Sequence, residues 1–357
     1  MREIKPLFDP VKAKAAIEKG RRANWWKRKG TMARGFSYID AQGKKIIAEA
    51  DLARIKALVI PPAWKYIRIS PFAGSGIQAV GMDTTGRVQY LYNQRFSEKR
   101  QRQKFSKIEK FGDFLPKLRK TTNEHIALDG FPREKVLAVM MRLINSLYIR
   151  IGTDKSVRHY KTYGITTLNN KHLMFGKKGE LVFEFVGKSH IKHRKVLVDK
   201  ELAAVMKELK DLGRARRLFH YVDDEGKPRV VKPSEINAYI KDSTSPEFSS
   251  KDFRTWGGTL LAAVELAEIG CDEDENARKT NIVRAVKKVA GQLGNTPTVC
   301  RGSYIHPVVL TAYERGVTID EYTSKKSRSI RRIENDYEPE ERALMKLLQS
   351  GGIKGDV

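Results

Sequence analysis

Cysteine is nearly absent from this chain: Cys271 and Cys300 are the two among 357 residues. Two cysteines cannot build a disulfide framework or complete a zinc site. The seven histidines are scattered and fall into no H-E-x-x-H or paired-cysteine pattern, so no metal centre is expected. No run of 18 apolar residues occurs, which argues against a membrane span. The N-terminus is charged without an apolar core, so no secretory signal is expected; together with the cysteine usage this implies a reducing intracellular compartment. Internal repeats and long low-complexity tracts are also missing. Acidic side chains are scarce beside basic ones, 42 Asp and Glu against 69 Lys and Arg, for a net charge of +27. Solubility alone needs only a modest net charge, so this excess points to a polyanionic partner. Nucleic acid fits better than an anionic membrane surface, because no long amphipathic stretch stands apart from a plausible core.

What remains is enough to fold. Hydrophobic residues make up 40% of the chain, and the length suffices for two or three cores. Residues 1–95 carry 19 basic and 7 acidic side chains, so this region is expected to touch the partner too. The first 30 residues read as helical or loosely ordered, with Trp25 and Trp26 either stacking on bases or covering apolar surface, packing being the commoner fate. From about 31 to 95 the pattern is strand and turn. FSYID and KKIIA flank the turn Ala41–Gly43, and IQAVGMD and RVQYLYN flank Thr84–Gly86, as in β-hairpins. Pro61 and Pro62 end the helical segment DLARIKALVI. A strongly basic linker helix follows over 96–120, then the helix PREKVLAVMMRLINSL (Pro132–Leu147) with its apolar face at 3.6-residue spacing. Strands return over 172–199, with a hairpin at Gly176–Gly179. Helices are predicted at 201–213, 234–241, 258–269 and 277–292, with a short closing helix at 338–350 after a basic, solvated tail at 324–332. The fold class is therefore α+β: a small antiparallel β-rich N-terminal domain (residues 1–95) and a larger, mainly helical domain (96–357).

Five residues stand out chemically. Cutting a phosphodiester builds negative charge on the phosphoryl oxygens and requires a proton for the departing oxygen. Arg150, in LYIRIG, and Arg254, in KDFRTWGG, are cations that grip phosphate through a two-pronged guanidinium. Lys188, in FEFVGKSHIKHR, is placed at a hairpin tip from which an amine can reach a leaving oxygen, beside His190, Lys192 and His193. An ammonium normally holds its proton to a pH near ~10.4, and a phenol ionises near ~10, so surrounding cations must ease both transfers. Tyr304, ending LGNTPTVCRGSYIHP, offers such a phenol. Asn295 lies nine residues earlier, past a helix end at Leu293–Gly294, and its amide can donate to a phosphate oxygen or cap a turn. Read singly, each is equally at home as a solvated or phosphate-contacting residue.

As an ordered set they resemble the type IB DNA topoisomerases, in particular the bacterial and poxvirus-like branch, over roughly residues 30–330. The family's pentad maps onto Arg150, Lys188, Arg254, Asn295 and Tyr304. Asparagine at 295 follows the bacterial members where the poxvirus branch has histidine, which leaves hydrogen bonding and no acid–base role there. The stretch around Gly81, Asp83, Gly86, Arg87, Gln89, Tyr90 and Tyr92 is also typical. Thr153, Asp154 and Lys155 depart from the family's R-x-G-N-E pattern. The resemblance implies a C-shaped clamp around double-stranded DNA, with a tyrosine-recombinase-like catalytic domain. It implies a 3′-phosphotyrosyl intermediate, strand rotation and religation that relax positive and negative supercoils, with no metal, ATP or other cofactor. It also implies a monomer without an obligate protein partner, cytoplasmic and nucleoid-associated, with Tyr90, Arg87, Gln89, Lys192 and His193 as DNA contacts. Two rivals share parts of the pattern. Tyrosine site-specific recombinases usually carry H-x-x-R where this chain has Lys251 in KDFR, and a non-catalytic DNA-binding protein leaves the ordered set unexplained.

Overall fold

The computed structural model describes residues 9–212, 216–322 and 337–351, so the basic tail at 324–332 lies outside the described residues. The chain divides into two compact units, Met1–Lys104 and Phe105–Val357.

The first unit is built on a five-stranded antiparallel sheet, in spatial order Gly35–Ile39, Trp26–Thr31, Lys65–Ile69, Ile77–Met82 and Val88–Tyr92. It begins with helix α1 (Pro10–Ile17), whose free N–H groups are capped by Asp9. Strand β1 (Trp26–Thr31) then pairs with β2 (Gly35–Ile39) on one side and β3 (Lys65–Ile69) on the other. Sheet structure thus starts earlier than the sequence pattern suggests, inside the stretch ANWWKRKG. The reason is the tryptophan pair, because consecutive side chains near a strand reach opposite faces. Trp25 packs with Ala13 and Ile17 of α1 and with Val80 and Met82. Trp26 packs on the other side with Ile67, Ile69, Ala79 and Ile55 of α2 (Glu49–Ala57). Both rings cover apolar surface. Arg28 is structural as well: its guanidinium donates to the carbonyls of Pro61, Pro62 and Trp64 at 3.2, 2.9 and 2.7 Å and lies over the Phe36 ring. Of the two expected hairpins, the second forms as β4 (Ile77–Met82) and β5 (Val88–Tyr92). The first closes only briefly, with the Asp40 amide on the Lys44 carbonyl, the Ile46 amide on the Tyr38 carbonyl and one bridge from Ile39 to Lys45, while β2 makes its full pairing with β1. Helix α2 stops at Ala57, before the two prolines.

The expected linker helix is two helices, α3 (Gln94–Asp113) and α4 (Leu115–Ile126). Ile108 and Phe111 turn the later part of α3 into the core of the second unit, and Phe105 packs edge-on to His306. Helix α5 (Arg133–Leu147) appears where the periodicity predicts it, buried along most of its length. After the short α6 (Asp154–Tyr160) comes a three-stranded antiparallel sheet of β6 (Leu173–Phe175), β7 (Glu180–Val186) and β8 (Lys192–Val198). Next are α7 (Lys200–Asp211), the small ribbon β9 (His220–Val222) and β10 (Pro228–Val230), and α8 (Pro233–Ser243). Helix α9 (Ser250–Ile269) starts eight residues earlier than the predicted 258, at a capping box between Ser249 and Asp252. Helices α10 (Glu275–Leu293), α11 (Pro297–Ser303), α12 (Pro307–Glu314) and α13 (Pro339–Gln349) complete the unit.

The closing helix α13 is held by more than its apolar face. Arg119 Nη2 lies 2.8 Å from the Glu341 carboxylate, with both side chains under one-tenth exposed. Removing one partner strands a buried charge. Glu341→Ala is therefore expected to destabilise the helical unit by about 3–5 kcal/mol, read as a lower urea midpoint by far-UV circular dichroism.

Candidate active site

The C-terminal end of α10 organises the site. A helix leaves its last carbonyls without intrahelical donors, and these carry the negative end of the helix dipole. Gly294 takes the left-handed conformation at φ +61°, and the amides of Gly294 and Asn295 close back on the carbonyls of Gly291 and Ala290, a Schellman-type ending. The next three carbonyls are each taken by a cation. Lys195 donates to Gln292, Arg254 Nη2 donates to Leu293 at 2.8 Å, and Arg150 Nη2 donates to Gly294 at 3.0 Å. Like charges are thereby gathered on a surface that favours them.

Each cation is delivered by a packed element. Arg150 follows α5 through Tyr148, a left-handed residue at φ +54° that ends the helix. The Arg150 carbonyl accepts from the Ile165 amide at 2.8 Å, across a close approach that only a glycine at Gly164 leaves open. Arg254 sits in the first turns of α9, 5% exposed, and its Nη1 donates to the Tyr148 carbonyl at 2.5 Å. Burial pulls both guanidinium pKa values down; the neighbouring Arg150 adds to the effect at Arg254, and Tyr304 opposes it at both. Both stay charged, as arginine does.

Tyr304 ends α11, and α9 holds its backbone. Thr259 Oγ1 donates to the Tyr304 carbonyl at 3.3 Å and accepts from the His306 amide at 3.1 Å. A Cβ on Gly258 would sit 2.6 Å from that same carbonyl. The Tyr304 ring lies 5.2 Å from the Arg254 guanidinium carbon, and Arg150 is close enough for its charge to act on the tyrosine side chain. Asn295 joins them: its Oδ1 accepts from Arg150, which leaves the buried Nδ2 without a partner.

Lys188 is exposed at the tip of the β7–β8 hairpin, followed by Ser189 and His190 at positive φ, and lines the same small cavity as Arg150 and Arg254. His193, expected as a DNA contact, has its ring drawn inward, half-buried against Gly187 and Gly294. Burial pushes its pKa down to about 4, helped by Lys195, Arg150 and Arg254, so it is neutral at pH 7. Lys192 stays exposed on the hairpin. Tyr90, Arg87 and Gln89 belong to the other unit: Tyr90 is exposed and stacked 6.3 Å from Tyr92, while Gln89 and the Arg87 amide bond to Asp83 in the turn. No carboxylate lines the cavity, and no group of three or more metal-ligating side chains occurs among the described residues. The arrangement suits an anion with several oxygens.

Two contributors escape the sequence reading. Tyr148 acts through its carbonyl, which no side-chain pattern reveals. Lys195 was legible in principle: β7 pairs Phe183 with Lys195 and Phe185 with His193, which puts a lysine on the inward-facing register of a strand.

Comparison with known proteins agrees with this geometry. Residues 93–331 match the family model described as eukaryotic DNA topoisomerase I, catalytic core, and residues 35–83 match that of the bacterial DNA topoisomerase IB N-terminal domain. The chain belongs to the type IB DNA topoisomerases. A DNA topoisomerase 1B of Acanthamoeba polyphaga mimivirus is 30% identical over 286 residues, covering 78% of this chain and 84% of the relative. A DNA topoisomerase 1 of Rabbit fibroma virus is 26% identical, and a DNA topoisomerase I of Monkeypox virus 23%, each covering 65% of this chain and 70% of the relative.

The topoisomerase relies on a glycine notch in α9 to seat its tyrosines. A Cβ on Gly257 would meet the Tyr148 ring at 2.1 Å, so Gly257→Ala must push away the residue that anchors Arg254. The variant is expected to lose about 1–3 kcal/mol of stability and about a hundredfold in relaxation rate, as followed by thermal melting and plasmid relaxation.

Proposed function

We propose that this topoisomerase relaxes positive and negative supercoils in duplex DNA by cutting one strand through a 3′-phosphotyrosyl intermediate. The Tyr304 oxygen attacks the scissile phosphorus, the bond from phosphorus to the 5′ oxygen breaks, and the phenolic proton passes to solvent. Lys188 at the hairpin tip gives a proton to the departing 5′ oxygen. Arg150 and Arg254 face the phosphoryl oxygens, whose charge grows in the transition state, and the Asn295 amide donates to one of them. The freed strand swivels about its intact partner. Its 5′ hydroxyl then attacks the phosphotyrosine, returns a proton to Lys188 and releases Tyr304. The phosphotyrosyl ester retains the energy of the bond that was broken, so no ATP is consumed, and side chains alone stabilise the charge.

The carrying observation is the unpartnered Asn295 Nδ2, on an amide held by Arg150, in a cluster where the Tyr304 ring lies 5.2 Å from the Arg254 guanidinium carbon. A buried donor left open in a cationic cluster calls for an acceptor, and a phosphate oxygen supplies one. The same reading makes the helical unit a tyrosine-recombinase-like domain, with Lys192 and His193 of that unit and Tyr90, Arg87 and Gln89 of the other as DNA contacts. It takes the enzyme to be a cytoplasmic, nucleoid-associated monomer.

The test is relaxation of negatively and positively supercoiled plasmid in EDTA without ATP, followed by detergent trapping. Relaxation of both signs, with protein recovered covalently on a 3′ end, is expected. DNA binding with topology unchanged across a range of salt would discard the reading and turn attention to site-specific recombination.

A further inference from the structure

The site contains one cation that the proposed chemistry does not use. Lys195 projects from β8, seven residues beyond Lys188, on the face where β7 presents Phe183. Its ammonium donates to the Gln292 carbonyl in the last turn of α10, next to the two carbonyls held by Arg254 and Arg150. It lines the cavity formed by those arginines, Lys188 and His193. This contact ties the hairpin that carries Lys188 to the helix end from which Asn295 and then α11 and Tyr304 continue.

We infer that Lys195 is a positioning residue of the cleavage site, fixing the hairpin of Lys188 against the end of α10 and so setting the proton donor in register with the phosphate-binding arginines. The inference rests on the cleavage mechanism proposed above. The geometry carries it in three parts. Lys195 is the sole ammonium among the lining residues that bonds to α10. The His193 ring, two residues before it, wedges against Gly294, where a Cβ would fall 2.3 Å from the ring. The hairpin is in regular register from Glu180–Val198 to Val186–Lys192, so a displacement at Lys195 travels to the tip.

The setting of Lys195 gives the role a signature. The titratable groups around the cavity are Arg150, Arg254, Lys188, His193, Tyr148 and Tyr163; α10 offers only backbone carbonyls. Burial, then Arg254 and Arg150, push the Lys195 pKa down to about 8. The sign follows: the ammonium is charged at pH 7 and loses its charge as pH rises through about 8. A phosphate in the cavity favours the charged form, so substrate binding draws a proton in. Above that pH the grip on Gln292 weakens in the DNA-free enzyme.

The experiment is single-turnover cleavage of a duplex oligonucleotide from pH 6 to 10 by the wild type, Lys195→Met and Lys195→Arg, at constant salt. Melting temperature and DNA affinity of each variant serve as controls. The methionine variant is expected to cleave about ten- to a hundredfold more slowly at pH 7 while still binding DNA. Arginine, which stays charged, should recover most of the rate and extend the active range to higher pH than the wild type. Wild-type cleavage and pH profile in the methionine variant would overturn the inference. So would an arginine variant that folds yet fails as badly as methionine. A wild type that forms no covalent adduct at any pH would instead remove the mechanism beneath it.

Discussion

Tyr304→Phe is expected to bind supercoiled DNA about as well as the wild type and to relax none of it. Deleting one oxygen removes the atom that would bond to phosphorus, and no neighbour replaces it. Loss of an attacking nucleophile elsewhere lowers turnover on the order of 10⁶-fold, which here means no product over any practical time. The fold should scarcely notice. The ring remains over Arg254, and the Tyr304 backbone is held by Thr259 through a carbonyl that the substitution leaves in place. A change in stability within about 0.5–1 kcal/mol is expected. Plasmid relaxation, detergent trapping and a thermal melt on the same preparation suffice. Measurable relaxation by the phenylalanine variant would show that another group attacks the phosphate, and Tyr304 would lose its role.

Arg254 should fail in a more informative way, because its guanidinium joins two peptide segments before any DNA arrives. One nitrogen donates to the Tyr148 carbonyl and the other to that of Leu293. Lysine has a single head and cannot span both. Arg254→Lys is expected to lose about 10²–10³-fold in cleavage, the usual cost of removing one charge-stabilising donor. Arg254→Ala should lose at least as much, and it also strands the two carbonyls at about 1–3 kcal/mol each. The pair of variants therefore separates in urea unfolding while remaining alike in single-turnover cleavage. If lysine restored cleavage to within a few-fold of wild type, a point charge would be enough and the forked geometry would be irrelevant.

Much of the architecture is legible in the sequence because it rests on side-chain periodicity. Helix α5 follows the apolar spacing from Val136 to Leu147, and the β4–β5 hairpin follows alternation around a glycine turn. The candidate set is legible for a different reason: each member sits in a short recognisable motif, and their order along the chain is preserved. The misses have physical causes. The predicted helix starts only at 258, whereas α9 begins at Ser250 and includes Gly257 and Gly258, although a mid-helix glycine costs about 0.5–1 kcal/mol. In α9 that cost is offset by the close approach of the Tyr148 ring and the Tyr304 backbone, and the helix runs through. For Trp25 and Trp26 packing is the favoured reading and packing is what they do, but the sequence does not name the surfaces they cover. Their alternation across a sheet edge, with α1 on one face and α2 on the other, appears only once the strands pair. The tie between Arg150, Arg254 and Lys195 is invisible in any sequence, because what they share is a row of peptide oxygens.

That row has a consequence for how the site would be mapped. The receptor for three cations is the main chain of residues 292–294, so exchanging the exposed Gln292 side chain leaves every one of these contacts intact. An alanine scan would pass over residue 292 in silence. Inserting one residue after Leu293, or replacing a peptide bond there by an ester, would shift or weaken the row and disturb the whole cluster together. Natural variation should show the same imprint: free choice of side chain at 292, and no tolerance for a change in chain length between α10 and Tyr304.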